Sequence, residues 1–264
     1  MAKLLAIDGL NIVRRIYEAS PEPDTPEKAD TALRFSLSAF HKLLHEHVPS
    51  HVVAAFDFGG PTWRHQLYAR YREQRAPMPS ALRDSLPMLF AELEKFHIKV
   101  VSIPEVEADD VIATAILRWL SEGRGAAIVV STDKDLHVLI EHGALIWDHF
   151  KNEWHDAAWV NNKFGVPPEQ LEQLLALMGD ATDGIPGVSK VGMKTAAKLL
   201  QAYGSIDAIM AGAGILKNTL GENLRKDASV LAMSRQLVKL KSDVQLGVTW
   251  KMLAMPNDGD HAHF

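Results

Sequence analysis

Three apolar runs of this chain end in an aspartate: Leu4-Leu5-Ala6-Ile7-Asp8, Val52-Val53-Ala54-Ala55-Phe56-Asp57 and Ile128-Val129-Val130-Ser131-Thr132-Asp133. A fourth run, closing at Ile103, is followed by Glu107, Asp109 and Asp110, which open the helical pattern that continues from Val111 to Leu120. If these runs are strands of one open sheet, the crevice outside their carboxyl ends gathers all six acids. Any one of them could cap a helix, because a carboxylate in a first turn suits the helix dipole. Six at four strand exits repel one another, and bound cations are the physical remedy. All-oxygen donors, with no cysteine in the chain and no histidine at these strand ends, select Mg²⁺, with Mn²⁺ as a substitute, over zinc. Asp135 stands two residues after Asp133, and Asp180 and Asp183 add two more acids within Gly179-Asp180-Ala181-Thr182-Asp183-Gly184.

The elements that must position these acids alternate. Strand patterns at Lys3 to Ile7, His51 to Phe56, Lys99 to Ile103, Ala126 to Ser131 and, shorter, Ala144 to Trp147 are separated by amphipathic helical stretches. That alternation predicts an α/β fold with a mostly parallel central sheet flanked by helices. Thr25 reads as an N-cap with Pro26 at the first helical position, ahead of Ala32, Leu33, Leu37, Phe40, Leu43 and Leu44 at helical spacing. Residues 59 to 87, with Gly59, Gly60, Pro61, Pro77, Pro79 and Pro87 among arginines, read as an exposed excursion from a core spanning 1–160. Residues 161–255 read as helical, with stretches at Pro168 to Met178 and Lys194 to Ala202, and 256–264 as a disordered tail.

With 264 residues, 47% of them hydrophobic, the chain can bury a large core. The lack of cysteine excludes a disulfide scaffold and thiolate zinc sites and suits a reducing cytoplasm, and no apolar run is long enough to cross a membrane. The formal charge of −5 would repel a polyanion on average, but basic residues are segregated. Arg64, Arg70, Arg72, Arg75 and Arg83 face only Glu73 between Pro61 and Arg83, and nine Lys and Arg face four acids between Gly184 and Val244. Two basic zones around an acidic pit are the footprint expected of a nucleic-acid binder that also holds cations.

In this order and spacing, Ile7-Asp8-Gly9, Phe56-Asp57, Trp63-Arg64-His65, Glu107-Ala108-Asp109-Asp110, Ser131-Thr132-Asp133-Lys134-Asp135-Leu136, Gly179-Asp180 with Thr182-Asp183, and Gly184 to Leu200 resemble the 5′ nucleases of the flap-endonuclease type, including the nuclease domain of bacterial DNA polymerase I. No polymerase domain follows, so the chain looks like a stand-alone, Xni-like member, a monomer with a PIN-like 5′ nuclease fold. The resemblance implies a two-metal phosphodiesterase acting on DNA with 5′ flaps or overhangs. Asp8, Asp57, Glu107 and Asp109 would hold one ion and Asp133, Asp135, Asp180 and Asp183 the other, with Asp110 in support. It implies a helix-hairpin-helix element at about 184–203 that grips duplex DNA through Gly187, Lys190, Gly192, Lys194 and Lys198, around a monovalent cation, K⁺. It also implies a basic arch at about 59–87, where Arg64 takes phosphate, Tyr71 stacks on a base, and Arg72 and Arg75 serve the chemical step. Two positions depart from the pattern: Arg72 stands where the family commonly has a catalytic lysine, and Lys190 where it usually has the hairpin's middle glycine.

Two rival readings stay open at this level: a PIN-like nuclease of single strands or RNA, and a DNA-junction binder without catalysis. His41, His45 and His47 read as surface residues of one helix, and His261 and His263 as a terminal pair without a specific role.

Overall fold

The apolar runs pair into one six-stranded sheet. In the computed structural model, which describes residues 2–216 and 218–256, β1 (Lys3–Asp8), β2 (His51–Ala55), β3 (Lys99–Val101), β4 (Ala126–Val130) and β5 (Leu145–Asp148) are parallel. The strand β6 (Glu153–His155), which has too few residues to show a pattern, returns antiparallel to β5. The order is β3-β2-β1-β4-β5-β6, so the chain leaves β1 in one direction and resumes on its other side at β4. Crossovers in opposite directions open a crevice at the carboxyl ends of β1 and β4, where Asp8 and Asp133 stand.

Both faces of the sheet are covered, as the continuous apolar character of the strands requires. Alternate residues of each strand face opposite ways. Leu5, Ile7, Val52, Ala54, Ile128 and Val130 pack under α1 (Gly9–Ala19), α2 (Pro26–His47) and the helix at Ser80–Lys95. Leu4, Ala6, Val53, Ala55, Ala127 and Val129 pack in the other core cluster, with residues of the later helices. Thr25 caps α2 as the sequence predicts, its hydroxyl accepting from Lys28 N at 3.3 Å, a contribution of about 1 kcal/mol.

The segment 59–87 is only partly the exposed excursion that its Gly, Pro and Arg content predicts. It contains α3 (Trp63–Leu67) and the first half of α4 (Ser80–Lys95), whose Leu82, Leu86, Leu89 and Leu93 are buried while Pro87 sits on the exposed face. What lies open is residues 59–61 and most of the connection from 66 to 77, with Tyr71 buried within it. Beyond α5 (Ala108–Ser121), α6 (Ala157–Phe164) and α7 (Leu171–Met178) lead into α8 (Met193–Tyr203), α9 (Ile206–Ala213), α10 (Thr219–Lys226), α11 (Ala228–Val238) and the short α12 (Trp250–Leu253). Among the described residues no helix is long and apolar enough to cross a membrane. His47 is buried, not on the surface, with its ring edge-on to Trp147 and Trp154. The tail expected from 256 onward, with His261 and His263, lies outside the described residues after Pro256.

Candidate active site

Asp8 ends β1 and begins α1, and its carboxylate serves both. Oδ1 accepts from Asn11 N at 3.1 Å, and Oδ2 from the Ser131 hydroxyl at 2.9 Å. Gly9 follows because the Phe56 ring lies over it; a Cβ there would sit 2.2 Å from a ring carbon. Asp57, two residues past β2, accepts from Ala108 N at 2.7 Å and so ties that strand end to the start of α5. Asp133 Oδ1 accepts from Asp135 N at 3.0 Å in the turn after β4. Asp8, Asp57, Asp109 and Asp133 line one cleft with Arg72 and Arg75. Beside it, carboxylate oxygens of Asp135, Asp180 and Asp183 lie within 4.8 Å of one another. The structure therefore gathers seven of the nine acids into two adjoining groups.

The other two are engaged elsewhere. Asp110 is fully buried and accepts from both terminal nitrogens of Arg64 at 2.9 and 3.1 Å, from Trp63 Nε1 at 2.8 Å and from Lys241 N at 2.9 Å. Glu107, 2% exposed, takes the Thr62 hydroxyl at 2.7 Å and the Tyr71 hydroxyl at 3.0 Å, with Arg64 and Arg72 paired to it at 3.3 and 3.1 Å.

Two residues expected on DNA are thereby withdrawn from it. Arg64 is 3% exposed, and besides its bidentate bond to Asp110 it donates to the carbonyls of Leu237 and Lys239, pinning the C-terminal end of α11 onto α3. Tyr71 is 2% exposed, and its hydroxyl also lies 3.3 Å from Asp183, so its ring is not free to stack on a base. A basic or aromatic residue in a Gly- and Pro-rich stretch reads as exposed; partners up to 175 positions away buried these two.

Arg72 occupies the middle of the acids. Its guanidinium lies 3.1 Å from Glu107, 3.1 Å from Asp183 and 3.9 Å from Asp57. Nη2 makes a hydrogen bond to Asp183, whereas Nε, close to the same carboxylate, is misaligned and only pairs with it electrostatically. Its backbone is left-handed, φ 55°, a strained state for a side-chain-bearing residue, held by donation of its N–H to the Asp183 carbonyl at 2.8 Å. Arg75 stands 3.7 Å from Asp183 and is more open.

Burial, then repulsion from neighbouring acids, sets the acidities. Burial pushes Asp8 and Asp135 up to about 7, with Asp133 adding to both, and lifts Asp109 well above the usual carboxylate range. Asp57 is raised by burial as well. Asp180 goes the other way: burial would raise it, but the Lys134 ammonium, bonded to it at 2.5 Å, and nearby N–H donors hold it low. Carboxylates held so close that they resist ionising are a set that a divalent cation relieves, and an all-oxygen donor set fits Mg²⁺ or Mn²⁺.

Asn11, Arg14, Arg15 and Thr182 also line the cleft and escaped the sequence reading. Arg14 and Arg15 follow Asp8 by six and seven residues, two turns along the helix it opens, which is the signal that could have found them.

Lys190 lies in the loop that precedes α8. That residue adopts φ 63°, the left-handed conformation a glycine would take without cost, between Ser189, whose N–H donates to Asp227 at 2.7 Å, and Val191. Gly192 is the N-cap of α8, and Lys190, Gly192, Lys194 and Lys198 are all exposed. Gly187 serves the fold: a Cβ there would lie 2.3 Å from the Met178 carbonyl carbon.

Family models described as 5′-3′ exonuclease, N-terminal resolvase-like domain, and 5′-3′ exonuclease, C-terminal SAM fold, match residues 3–165 and 166–260. The chain therefore belongs to the 5′-3′ exonuclease family and is a nuclease, a hydrolase of α/β architecture with a SAM-like helical part. Among its relatives, the flap endonuclease Xni of Psychromonas ingrahamii is 34% identical over 98% of this chain and 100% of the relative, and that of Shewanella baltica is 38% identical over 95% and 94%. A bacteriophage T5 5′-exonuclease with zinc ions bound shares the fold at TM-score 0.75 and 21% identity, covering 91% of this chain and 90% of its own. A T5 flap endonuclease in a pseudo-enzyme–product complex with DNA and metal ions aligns at TM-score 0.74 and 22% identity, over 91% and 90%.

Proposed function

We propose that this nuclease hydrolyses DNA phosphodiesters at 5′ flaps and overhangs, as a flap endonuclease and 5′-3′ exonuclease, with two divalent ions, Mg²⁺ in the first place. The observation that carries the reading is the convergence of Asp8, Asp57, Asp109 and Asp133 on one cleft beside the Asp135, Asp180 and Asp183 group. Divalent ions bound there would supply an activated water and Lewis-acid stabilisation of the attacking and leaving oxygens, so no protein nucleophile is needed. Asp8, Asp57 and Asp109 would serve one ion and Asp133, Asp135, Asp180 and Asp183 the other. Glu107 and Asp110 act from behind: Glu107 anchors Tyr71 and Arg72, and Asp110 anchors Arg64.

Arg72 and Arg75 line the same cleft, so a phosphate over the acids meets two guanidinium groups that stay protonated at any working pH. Arg72 contributes as a fixed charge and cannot donate a catalytic proton. Lys190, Lys194 and Lys198, with the open backbone at Gly192, would grip the duplex by its phosphates without reading sequence, residues 161–255 forming the DNA-binding part. K⁺ at the same hairpin, a monomeric state and a cytoplasmic setting belong to the same proposal. The named activities of the Xni relatives and the T5 complex with DNA and metal ions support it.

The test is single-turnover cleavage of an end-labelled 5′-flap duplex with Mg²⁺, beside matched single-stranded DNA and RNA. Cleavage confined to the flap duplex is expected, and Asp180→Asn or Asp183→Asn should nearly abolish it while DNA binding persists or tightens. Preferential cutting of single strands or RNA would overturn the substrate assignment, and near-normal cleavage by either variant at low millimolar Mg²⁺ would remove that residue from the ligand set.

A further inference from the structure

Behind the cleft, a line of buried side chains runs from the turn after β4 to the surface of the β5–β6 hairpin. His137 Nδ1 lies 2.8 Å from the Asp133 carbonyl oxygen, His137 Nε2 lies 2.8 Å from His155 Nδ1, and His155 Nε2 lies 3.1 Å from Glu153 Oε1. The two imidazoles are 1% and 3% exposed and are stacked with Trp159, whose ring is 3.6 Å from that of His155. A carbonyl closes the line at one end and a carboxylate at the other, and both can only accept. In any arrangement that satisfies both ends, His137 Nδ1 carries hydrogen and donates to the Asp133 carbonyl, His155 Nε2 donates to Glu153, and one further hydrogen lies between His137 Nε2 and His155 Nδ1. Asp148 joins Glu153 beside His155, their ligand atoms lying within 4.8 Å of one another.

The residue at the inner end matters because Asp133 holds its turn together: its N–H donates to the Ser131 hydroxyl at 3.0 Å and its carboxylate accepts from Asp135 N. We propose that the His137–His155–Glu153 line is a positioning device for the nuclease site, fixing the Asp133 carbonyl and with it the direction in which Asp133 and Asp135 present their carboxylates. This rests on the reading of those two acids as metal ligands. Groups that orient a ligand typically change metal affinity by roughly 10–100-fold when removed, although they never touch the ion. His137 and His155 are positioning residues in that sense, and their effect falls on metal affinity before it falls on DNA binding.

The experiment is Mn²⁺ binding to the full chain without DNA, by calorimetry, with metal-dependent flap cleavage in parallel. His137→Phe keeps the ring volume but cannot donate, and is expected to weaken Mn²⁺ binding about 10-fold and shift the Mn²⁺ requirement for cleavage equally. His137→Asn retains an amide that can donate to the Asp133 carbonyl and should recover most of the affinity. Independently of any variant, ¹⁵N spectra of the unaltered protein should show hydrogen on His137 Nδ1. A folded His137→Phe with unchanged Mn²⁺ affinity, equal losses in the Phe and Asn variants, or a His137 Nδ1 without hydrogen would each overturn the proposal. Asp133→Asn separates the two layers: if it weakens Mn²⁺ binding and His137→Phe does not, only the positioning role falls; if it has no effect, the ligand reading falls with it.

Discussion

Replacing Arg72 by alanine removes the one guanidinium that touches three acids of the site. Its side chain is 15% exposed and lies 3.1 Å from Glu107, 3.1 Å from Asp183 and 3.9 Å from Asp57. Removing one partner of a buried ion pair costs about 3–5 kcal/mol, because the remaining charge is left in a poor solvent. Asp57, already raised by burial, can take up a proton and soften the loss, so the lower end, about 3 kcal/mol, is expected in the metal-free protein. For a chain of this size that corresponds to a fall in Tm of roughly 6–12 °C. The assay is thermal unfolding followed by circular dichroism at pH 7.5, in EDTA and again in millimolar Mg²⁺. Divalent ions replace the missing positive charge, so the deficit should shrink when Mg²⁺ is present. Arg72→Lys should lose less than alanine, since an ammonium keeps the charge without the planar fork that reaches several carboxylates at once. In single-turnover cleavage under enzyme excess, the alanine variant should be slower by roughly 10²-fold, with a much smaller change in DNA affinity. A Tm in EDTA within about a degree of the unaltered protein would refute the charge argument, since the loss expected from stranding buried carboxylates is too large to hide in so small a shift. Normal saturated cleavage with weakened binding would make Arg72 a binding residue.

Lys190→Gly should leave the hairpin intact and change stability by less than about 1 kcal/mol, because relief of the left-handed backbone opposes the added freedom of the unfolded chain; a large destabilisation on denaturant unfolding would contradict the strain seen at φ 63°. Lys194→Ala should weaken unrelated flap sequences equally and lower the salt slope of binding by roughly one unit; a titration with unchanged slope would make Lys194 a solvated residue. Asp8 and Asp135 give the metal-free protein a pH dependence. Their folded pKa of about 7 lies above the unfolded 3.8, so the folded state holds protons that the unfolded state has released. Their contribution is full below the unfolded value and is lost as pH rises through 7. The depressed histidines His47, His51, His137 and His149 act in the opposite sense below 6.5, so the clean window is pH 6.5 to 8. Tm in EDTA should fall across it, less so for Asp8→Asn and in Mg²⁺; a flat profile would show that these carboxyls are ionised throughout.

The strand ends and their acids were legible in the sequence for a local reason. A parallel strand buried on both faces is a short apolar run, and a carboxylate at its end stands out against it, as at Asp8, Asp57 and Asp133. Parallel pairing then sends every such end to the same edge, so the gathering of Asp8, Asp57 and Asp133 followed from the fold class, whereas Asp180 and Asp183, in the turn after α7, reached Asp135 only through the tertiary structure. The Thr25-Pro26 start of α2 was legible because a cap is decided within four residues. In the loop before α8, Lys190 adopts a left-handed backbone that its side chain disfavours, which residue type alone did not announce.

Only the tertiary structure decided what the residues between 59 and 87 do. Arg64, Tyr71 and Arg72 share one composition and one stretch, yet Arg64 is buried under the carbonyls of Leu237 and Lys239, Tyr71 is held by Glu107 and Asp183, and Arg72 is drawn into the acids by Glu107 and Asp183. Those partners lie 35 to 175 positions away, beyond any local pattern. The same holds for the line from Asp133 through His137 and His155 to Glu153, which exists because β5 and β6 fold back beside the turn after β4. Residue type and spacing therefore determined which groups could do chemistry and at which edge of the sheet. Which of them are free to meet a ligand, and which are consumed in holding the others, was set by long-range burial, where an unpaired charge is too costly to leave without a partner.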